Sequence, residues 1–211
     1  MTKWLGVALL PRTDHLRAAV RLQRRVGADL ALEPPLSEDG NLPHVTLFQG
    51  PFSDSLAPTE VLADIAASAA GLGLPGELPL SSPGVVYQPT GWLFLALERP
   101  ALLSALQESV VAVLDPYLDR TAFDTDKDVS RFTDDERISY QKYGYRYVGD
   151  AYAPHMTLGR APEAVALELV RTARERVEPT GTWIFDRLSF YVMGQHGAHA
   201  ERLAETPLAQ R

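Results

Sequence analysis

The chain switches repeatedly between two apolar periods. Leu5 to Leu10 is a continuous apolar run ended by Pro11, the signature of a buried strand. Leu16, Val20, Val26 and Leu30 follow at helical spacing, with Thr13 or Asp14 as the expected N-cap. That helix runs toward Leu32, Glu33-Pro34-Pro35 stops it, and Ser37 to Asn41 forms a turn. A short strand over His44 to Leu47 leads into a loop from Pro51 to Pro58 and an Ala-rich helix from Thr59 to Ala70, with Val61, Leu62 and Ile65 inward. Leu78 to Tyr87 reads as an interrupted strand, Gln88-Pro89-Thr90-Gly91 as a hairpin turn, and Trp92 to Leu97 as a buried strand. Ala101 to Leu118 is a helix that gathers Leu102, Leu106, Val110, Val113 and Leu114 on one side. From Asp119 to Asp150 the periodicity breaks, apart from a short helix expected over Asp134 to Lys142. A second short strand at His155 to Leu158 precedes a helix from Pro162 to Val177, with Val165, Leu169 and Val170 inward. The chain closes with a strand over Trp183 to Met193, a turn at Gly194 to Gly197 and a return strand over Ala198 to Leu208.

One pattern in this series occurs twice. Pro43-His44-Val45-Thr46-Leu47 returns as Pro154-His155-Met156-Thr157-Leu158, with the histidines 111 positions apart, from 44 to 155. In a strand, residues two apart share a face. Each copy therefore sets an imidazole beside a hydroxyl and sends its apolar residues to the other side. A lone copy reads best as an ordinary polar strand. Two matched copies half a chain apart predict two similar lobes that present equivalent residues. Two imidazoles across a cleft suit a displacement needing a base and an acid, and histidine titrates near neutrality. Two threonine hydroxyls can donate to the non-bridging oxygens of a phosphate. The chemistry these residues point to is cleavage of a phosphodiester without a metal.

On these paired His-x-Thr motifs the chain resembles the two-histidine (2H) phosphoesterases, which include 2′,3′-cyclic nucleotide phosphodiesterases and proteins called 2′-5′ RNA ligases. The resemblance implies an α+β fold with two similar lobes of antiparallel sheet, helices on the outer faces, a pseudo-two-fold axis and a central cleft. It implies His44, Thr46, His155 and Thr157 as catalytic residues. Leu158-Gly159-Arg160 adds an arginine at a place frequent in that family, which makes Arg160 a candidate for substrate binding. The first motif continues Leu47-Phe48-Gln49-Gly50, shorter than the usual family pattern before the glycine. In that family the lobes exchange strands, so Trp92 to Leu97 is a candidate for the second lobe's sheet. The expected activity is that of a phosphoric diester hydrolase on a 2′,3′-cyclic phosphate or a related small nucleotide diester. A 2′,5′-phosphodiesterase or RNA end-processing, ligase-like enzyme would use the same residues. A non-catalytic nucleotide-binding module and a histidine-ligated metal hydrolase are the alternatives of other classes.

Composition narrows the partners. The 211 residues include no cysteine, which removes disulfides, thiol nucleophiles and thiolate metal sites. The net charge of −7 argues against a grip on long nucleic acid and for a small nucleotide or an RNA end. Arg17, Arg21, Arg24 and Arg25 form a solvated helix face. The N-terminus lacks the pattern of an export signal and no apolar run spans a bilayer, so the expectation is a cytoplasmic chain with no membrane partner. One bilobal domain covers 1–211, with 119–150 as an insert or flap. Tyr143 and Tyr145 in that flap, and Phe48 beside the first motif, are the candidates for stacking on a base. The Asp-rich part of the flap lacks the glycine and terminal glutamate of a calcium loop. His196 and His199 read as turn histidines and His15 as a surface one, so no metal and no cofactor are expected.

Overall fold

The computed structural model describes residues 3–89, 91–176 and 181–208. Eight strands form one antiparallel sheet: β1 (Lys3–Pro11), β2 (Val45–Phe52), β3 (Leu78–Ser82), β4 (Gly84–Gln88), β5 (Trp92–Ala96), β6 (His155–Arg160), β7 (Gly181–Met193) and β8 (His199–Pro207). The described helices are α1 (Thr13–Gly27), α2 (Pro58–Gly71), α3 (Ala101–Leu114), α4 (Asp134–Tyr143) and α5 (Glu163–Arg176). Strand order is β3-β7-β1-β2-β6-β5-β4, with β8 paired to β7. Outward from the β2–β6 seam three strands match on each side, β2-β1-β7 and β6-β5-β4, and β3 and β8 add to the first side through β7. The seam is a single pair, Val45 opposite Met156, the residue that follows each motif histidine. An antiparallel pair carries a local two-fold axis, so this contact is the dyad between the lobes. The lobes exchange strands as the resemblance implied. β7 and β8 return from the C-terminal part to the first lobe, and β5 pairs with β6 in the second.

The symmetry extends to irregularities. β1 pairs Val7 with Phe48 and then Ala8 with Thr46, skipping Leu47. β5 pairs Leu93 with Gly159 and then Phe94 with Thr157, skipping Leu158. Each motif strand thus carries a β-bulge at its leucine, and each skipped carbonyl needs another donor. A buried glutamine supplies it twice. Gln107 on α3 donates to the carbonyls of Leu47 and Tyr147 at 3.1 and 2.7 Å and accepts from the Gly149 N–H. Gln23 on α1 donates to the carbonyls of Leu158 and Pro34 at 2.9 and 3.0 Å and accepts from the Leu36 N–H.

Several expectations shift. α1 starts at Thr13 with Arg12 in the cap position and no side-chain cap, and it ends at Gly27, leaving Leu30 exposed. β2 continues through Phe52 into the expected loop. α3 stops at Leu114, where Pro116 shortens the next turn into a 3-10 form. Leu103 and Val111 complete the inner face of α3, and Leu102 and Val113 are only partly buried. Pro162 precedes α5, and Val165 on it points to solvent. Thr90 of the expected turn and the expected helix end at Val177 lie outside the described residues. The interrupted strand divides at Pro83: β3 pairs with β7 at one edge and β4 with β5 at the other. Segment 119–150 holds α4, opened by a Thr133–Glu136 capping box and closed by Gly144 at φ 66°. Buried Tyr145 and Val148 and the Gln107 bonds tie the end of this segment to the body. Among the described residues no helix is long and apolar enough to cross a membrane.

Candidate active site

The seam assembles the two motifs. With Val45 opposite Met156 and both fully buried, the flanking residues point to the other face. Continuing that register sets His44 across from Thr157 and Thr46 across from His155. The two histidines are then diagonal neighbours, whose separation is ordinarily about 7–8 Å. All four are half-buried. His44 and Thr157 line one small cavity together with Pro34, Asn41 and His196.

Each imidazole is oriented by its own backbone. His44 Nδ1 lies 2.7 Å from the Leu42 carbonyl and His155 Nδ1 lies 2.7 Å from the Ala153 carbonyl. A carbonyl only accepts, so each Nδ1 carries the hydrogen, and each neutral ring presents an Nε2 lone pair. Burial lowers the pKa of both rings, that of His155 to about 4. The charges of His44 and Arg146 add to the depression at His155.

The lobes dress this shared frame differently. The β5 and β6 side carries Phe94, stacked on His155 with centroids 3.8 Å apart, and Tyr147, edge-on to His155 at 5.3 Å. Beyond them Trp92 lies under the Arg160 guanidinium, 5.6 Å from ring centroid to Cζ. The register equivalents on β1 and β2 are Ala8 for Phe94, Gly6 for Trp92 and Gln49 for Arg160. Small residues there admit the β7 side chain. Tyr191 pairs with Gly6, and a Cβ on Gly6 would lie 2.6 Å from its ring. The Tyr191 hydroxyl reaches to 3.4 Å from His44 Nε2 and shares a hydrogen bond with Thr46, as does the Tyr145 hydroxyl. His199 stacks on Tyr191 at 4.5 Å, bonds Ser189 Oγ through Nε2 at 2.9 Å, and stands edge-on to His44 at 5.8 Å.

Among the other candidates from sequence, Arg160 sits on the exposed end of β6 on the site face. Tyr145 is buried, with its hydroxyl at Thr46. Tyr143 packs its ring edge-on to Phe48 at 6.0 Å, away from the histidines. Phe48 cannot stack on a base. The bulge at Leu47 breaks the alternation, so Phe48 shares the Val7 side and is fully buried against Phe52, Tyr143 and Tyr145. His199 is no turn histidine but a buried member of β8. Trp92, Phe94, Tyr147, Tyr191 and His199 are the site neighbours that sequence reasoning missed. The alternation Trp92-Leu93-Phe94 inside an exchanged strand was the one signal for the first two. Among the described residues no three His, Cys, Asp or Glu side chains gather closely enough to hold a metal ion.

A family model described as the 2'-5' RNA ligase superfamily matches residues 11–197. Among solved structures, E. coli LigT complexed with 3'-AMP superposes at a TM-score of 0.56, with 15% identity over 100% of both chains. E. coli LigT complexed with phosphate gives 0.54 at 15% identity over 99% of each chain. A structure described as a phosphoesterase gives 0.54 at 15% identity over 100% of both chains. No curated protein matches the chain.

Proposed function

The chain belongs to the 2'-5' RNA ligase superfamily, and on that premise we propose that it is a phosphodiesterase that acts on a 2′,3′-cyclic phosphate or a related small nucleotide diester by paired-histidine acid–base catalysis. The observation that carries this reading is the two motif histidines at the seam, each with Nδ1 tied to a backbone carbonyl, which leaves Nε2 as the basic nitrogen. A substrate phosphate between them brings a negative charge that favours protonation of one ring. The neutral ring takes a proton from the attacking water through Nε2. The oxygen–phosphorus bond forms, the ester bond to the leaving ribose oxygen breaks, and the protonated ring delivers its proton to that oxygen. A cyclic diester thereby opens to a monoester, and the pair ends with its proton exchanged between rings. Thr46 and Thr157 lie across the seam from the two histidines, and in this reading their hydroxyls donate to the non-bridging oxygens. E. coli LigT has been captured with 3'-AMP and with phosphate, ligands of the size this cleft would take. His44, Thr46, His155 and Thr157 are the proposed catalytic residues.

The test is turnover of a panel of 2′,3′-cyclic, 3′,5′-cyclic and 2′,5′-linked nucleotides, with product isomers resolved. Hydrolysis of the 2′,3′-cyclic or the 2′,5′-linked members is expected. Binding without turnover across the panel would make the chain a nucleotide-binding module instead. Activity is expected to survive EDTA, since the protons move between side chains. Loss in EDTA with recovery in zinc or manganese would point to metal-assisted hydrolysis.

A further inference from the structure

The two motif histidines sit on one frame but in different company. Outward from the seam, Gly6 on β1 faces Tyr191 on β7, and its equivalent Trp92 on β5 faces Gln88 on β4. Tyr191 and Gln88 therefore hold the same place in the two lobes. A buried phenol needs hydrogen-bond partners, and those of fully buried Tyr191 all lie between His44 and Gln49. They are His44 Nε2 at 3.4 Å, Gln49 Oε1 at 3.5 Å and the Thr46 hydroxyl. Gln88 instead bonds the Tyr147 hydroxyl through its amide at 3.0 Å, and it is the Tyr147 ring that meets His155, edge-on. A third histidine presses on the phenol. His199 is buried and stacks on Tyr191 with centroids 4.5 Å apart and planes 14° from parallel. The Ser189 hydroxyl has the Ala204 carbonyl at 3.5 Å to donate to, so His199 Nε2 carries its hydrogen and donates to Ser189 Oγ at 2.9 Å. His199 Nδ1 is buried without a partner among the described residues, so the imidazole contributes its ring face and its Nε2 bond. The His199 backbone N–H also donates to Asn41 Oδ1 at 2.9 Å, which ties down the turn carrying the Leu42 carbonyl that orients His44.

Resting on the phosphodiesterase reading, we infer that Tyr191, seated by His199, is a positioning residue for His44 and makes the two motif histidines unequal partners. His44 Nδ1 gives its hydrogen to the Leu42 carbonyl, so in the neutral ring Nε2 is a lone pair and the phenol donates to it. When Nε2 takes a proton the direction reverses. Nε2–H then donates to the phenol oxygen, and the phenol hydrogen turns to Gln49 Oε1. One oxygen thus serves both states of the ring and holds its orientation while the proton comes and goes. Burial raises the Tyr191 pKa to about 12, so the phenol keeps its own hydrogen throughout. His155 is held on that side by carbon faces instead, stacked on Phe94 and edge-on to Tyr147.

The experiment measures kcat and KM on the best-cleaved member of the nucleotide panel and records the histidine ring nitrogens by NMR. The proteins are the wild type, Tyr191→Phe, His199→Phe, His199→Ala and Tyr191→Phe combined with His199→Ala. Tyr191→Phe is expected to lower kcat about five- to tenfold, the scale of one hydrogen bond, with KM little changed. It should shift the His44 Nε2 signal and leave that of His155 in place. His199→Ala is expected to lower kcat to a similar extent, and His199→Phe, which keeps a ring face on Tyr191, to lose less. The combined variant should lose no more than Tyr191→Phe alone, because His199 acts through the phenol. Wild-type kcat in Tyr191→Phe, an unmoved His44 signal, or equal shifts at both rings would overturn the role given to Tyr191. Losses that multiply in the combined variant, or His199→Phe no better than His199→Ala, would overturn the seating by His199. If the wild type cleaves no member of the panel, the phosphodiesterase reading is the one that fails, and the spectra alone decide whether Tyr191 governs His44. Circular dichroism on each variant separates a lost contact from a lost fold.

Discussion

At each motif histidine the nearest carbonyl decides which nitrogen works. Nδ1 is committed to the backbone two residues upstream in both copies, so the proposed chemistry is left to Nε2. Both rings are harder to protonate than free histidine, chiefly because the site shields these half-buried groups from water. A reaction that needs one protonated and one neutral ring runs fastest between the two macroscopic pKa values of the pair. With both depressed, that window lies on the acidic side of ordinary histidine. The kcat/KM profile is therefore expected to be a bell with its optimum below about pH 6.5. It should fall toward higher pH as the last proton leaves and toward lower pH as the second ring charges. An optimum above pH 7.5 would contradict the depression of the two rings. The His-Thr quartet was legible in sequence because its chemistry and its repeat sit in five contiguous residues. Phe48 was misread because a strand bulge is invisible to a period-two count.

At the scale of elements, two glutamines do what strand pairing cannot. The seam has one residue pair, and each lobe's bulge exposes a carbonyl that Gln107 or Gln23 caps from a helix. Gln107→Leu keeps the volume and leaves the Leu47 and Tyr147 carbonyls and the Gly149 N–H without their partner. The expected loss is roughly 3 kcal/mol at about 1–3 kcal/mol per stranded buried group, after partial relaxation, measured by urea unfolding. A loss under 0.5 kcal/mol would mean that water or a shifted backbone replaces the side chain. Gly6→Ala would press on the Tyr191 ring and move its hydroxyl from His44, so kcat should drop while far-ultraviolet circular dichroism stays native. Most elements were readable from apolar period and turn residues, whereas the strand exchange was an expectation carried by the family resemblance alone. The equivalence of Gln23 and Gln107 was not, since each reads as one polar residue on an amphipathic helix. His199 was hidden for a similar reason: its burial depends on β7, His44 and the Asn41 turn meeting it in space.

The whole molecule is a symmetric frame with asymmetric furnishing, and its buried histidines tie stability to pH. Burial lowers His199 to about 3 and His155 to about 4. A depressed folded pKa means that the neutral form stabilises the fold above the unfolded value near 6.5, and that this contribution is lost as pH falls. Each such group removes up to about 1.4 kcal/mol per pH unit below that value until it titrates in the folded state. The midpoint of thermal unfolding should therefore drop steeply from pH 7 to pH 5, and His199→Gln should flatten that slope. A midpoint unchanged over this range would show that these rings are open to solvent. The central claim concerns the seam itself, that two histidines from two lobes act as one acid–base pair. The most direct measurement is kcat on the best-cleaved member of the nucleotide panel for His44→Ala, His155→Ala and the double variant. Each single change is expected to cost about 10² to 10⁴-fold, and the double variant to cost far less than the product of the two, because the pair works as a unit. Wild-type kcat in either single variant would contradict it.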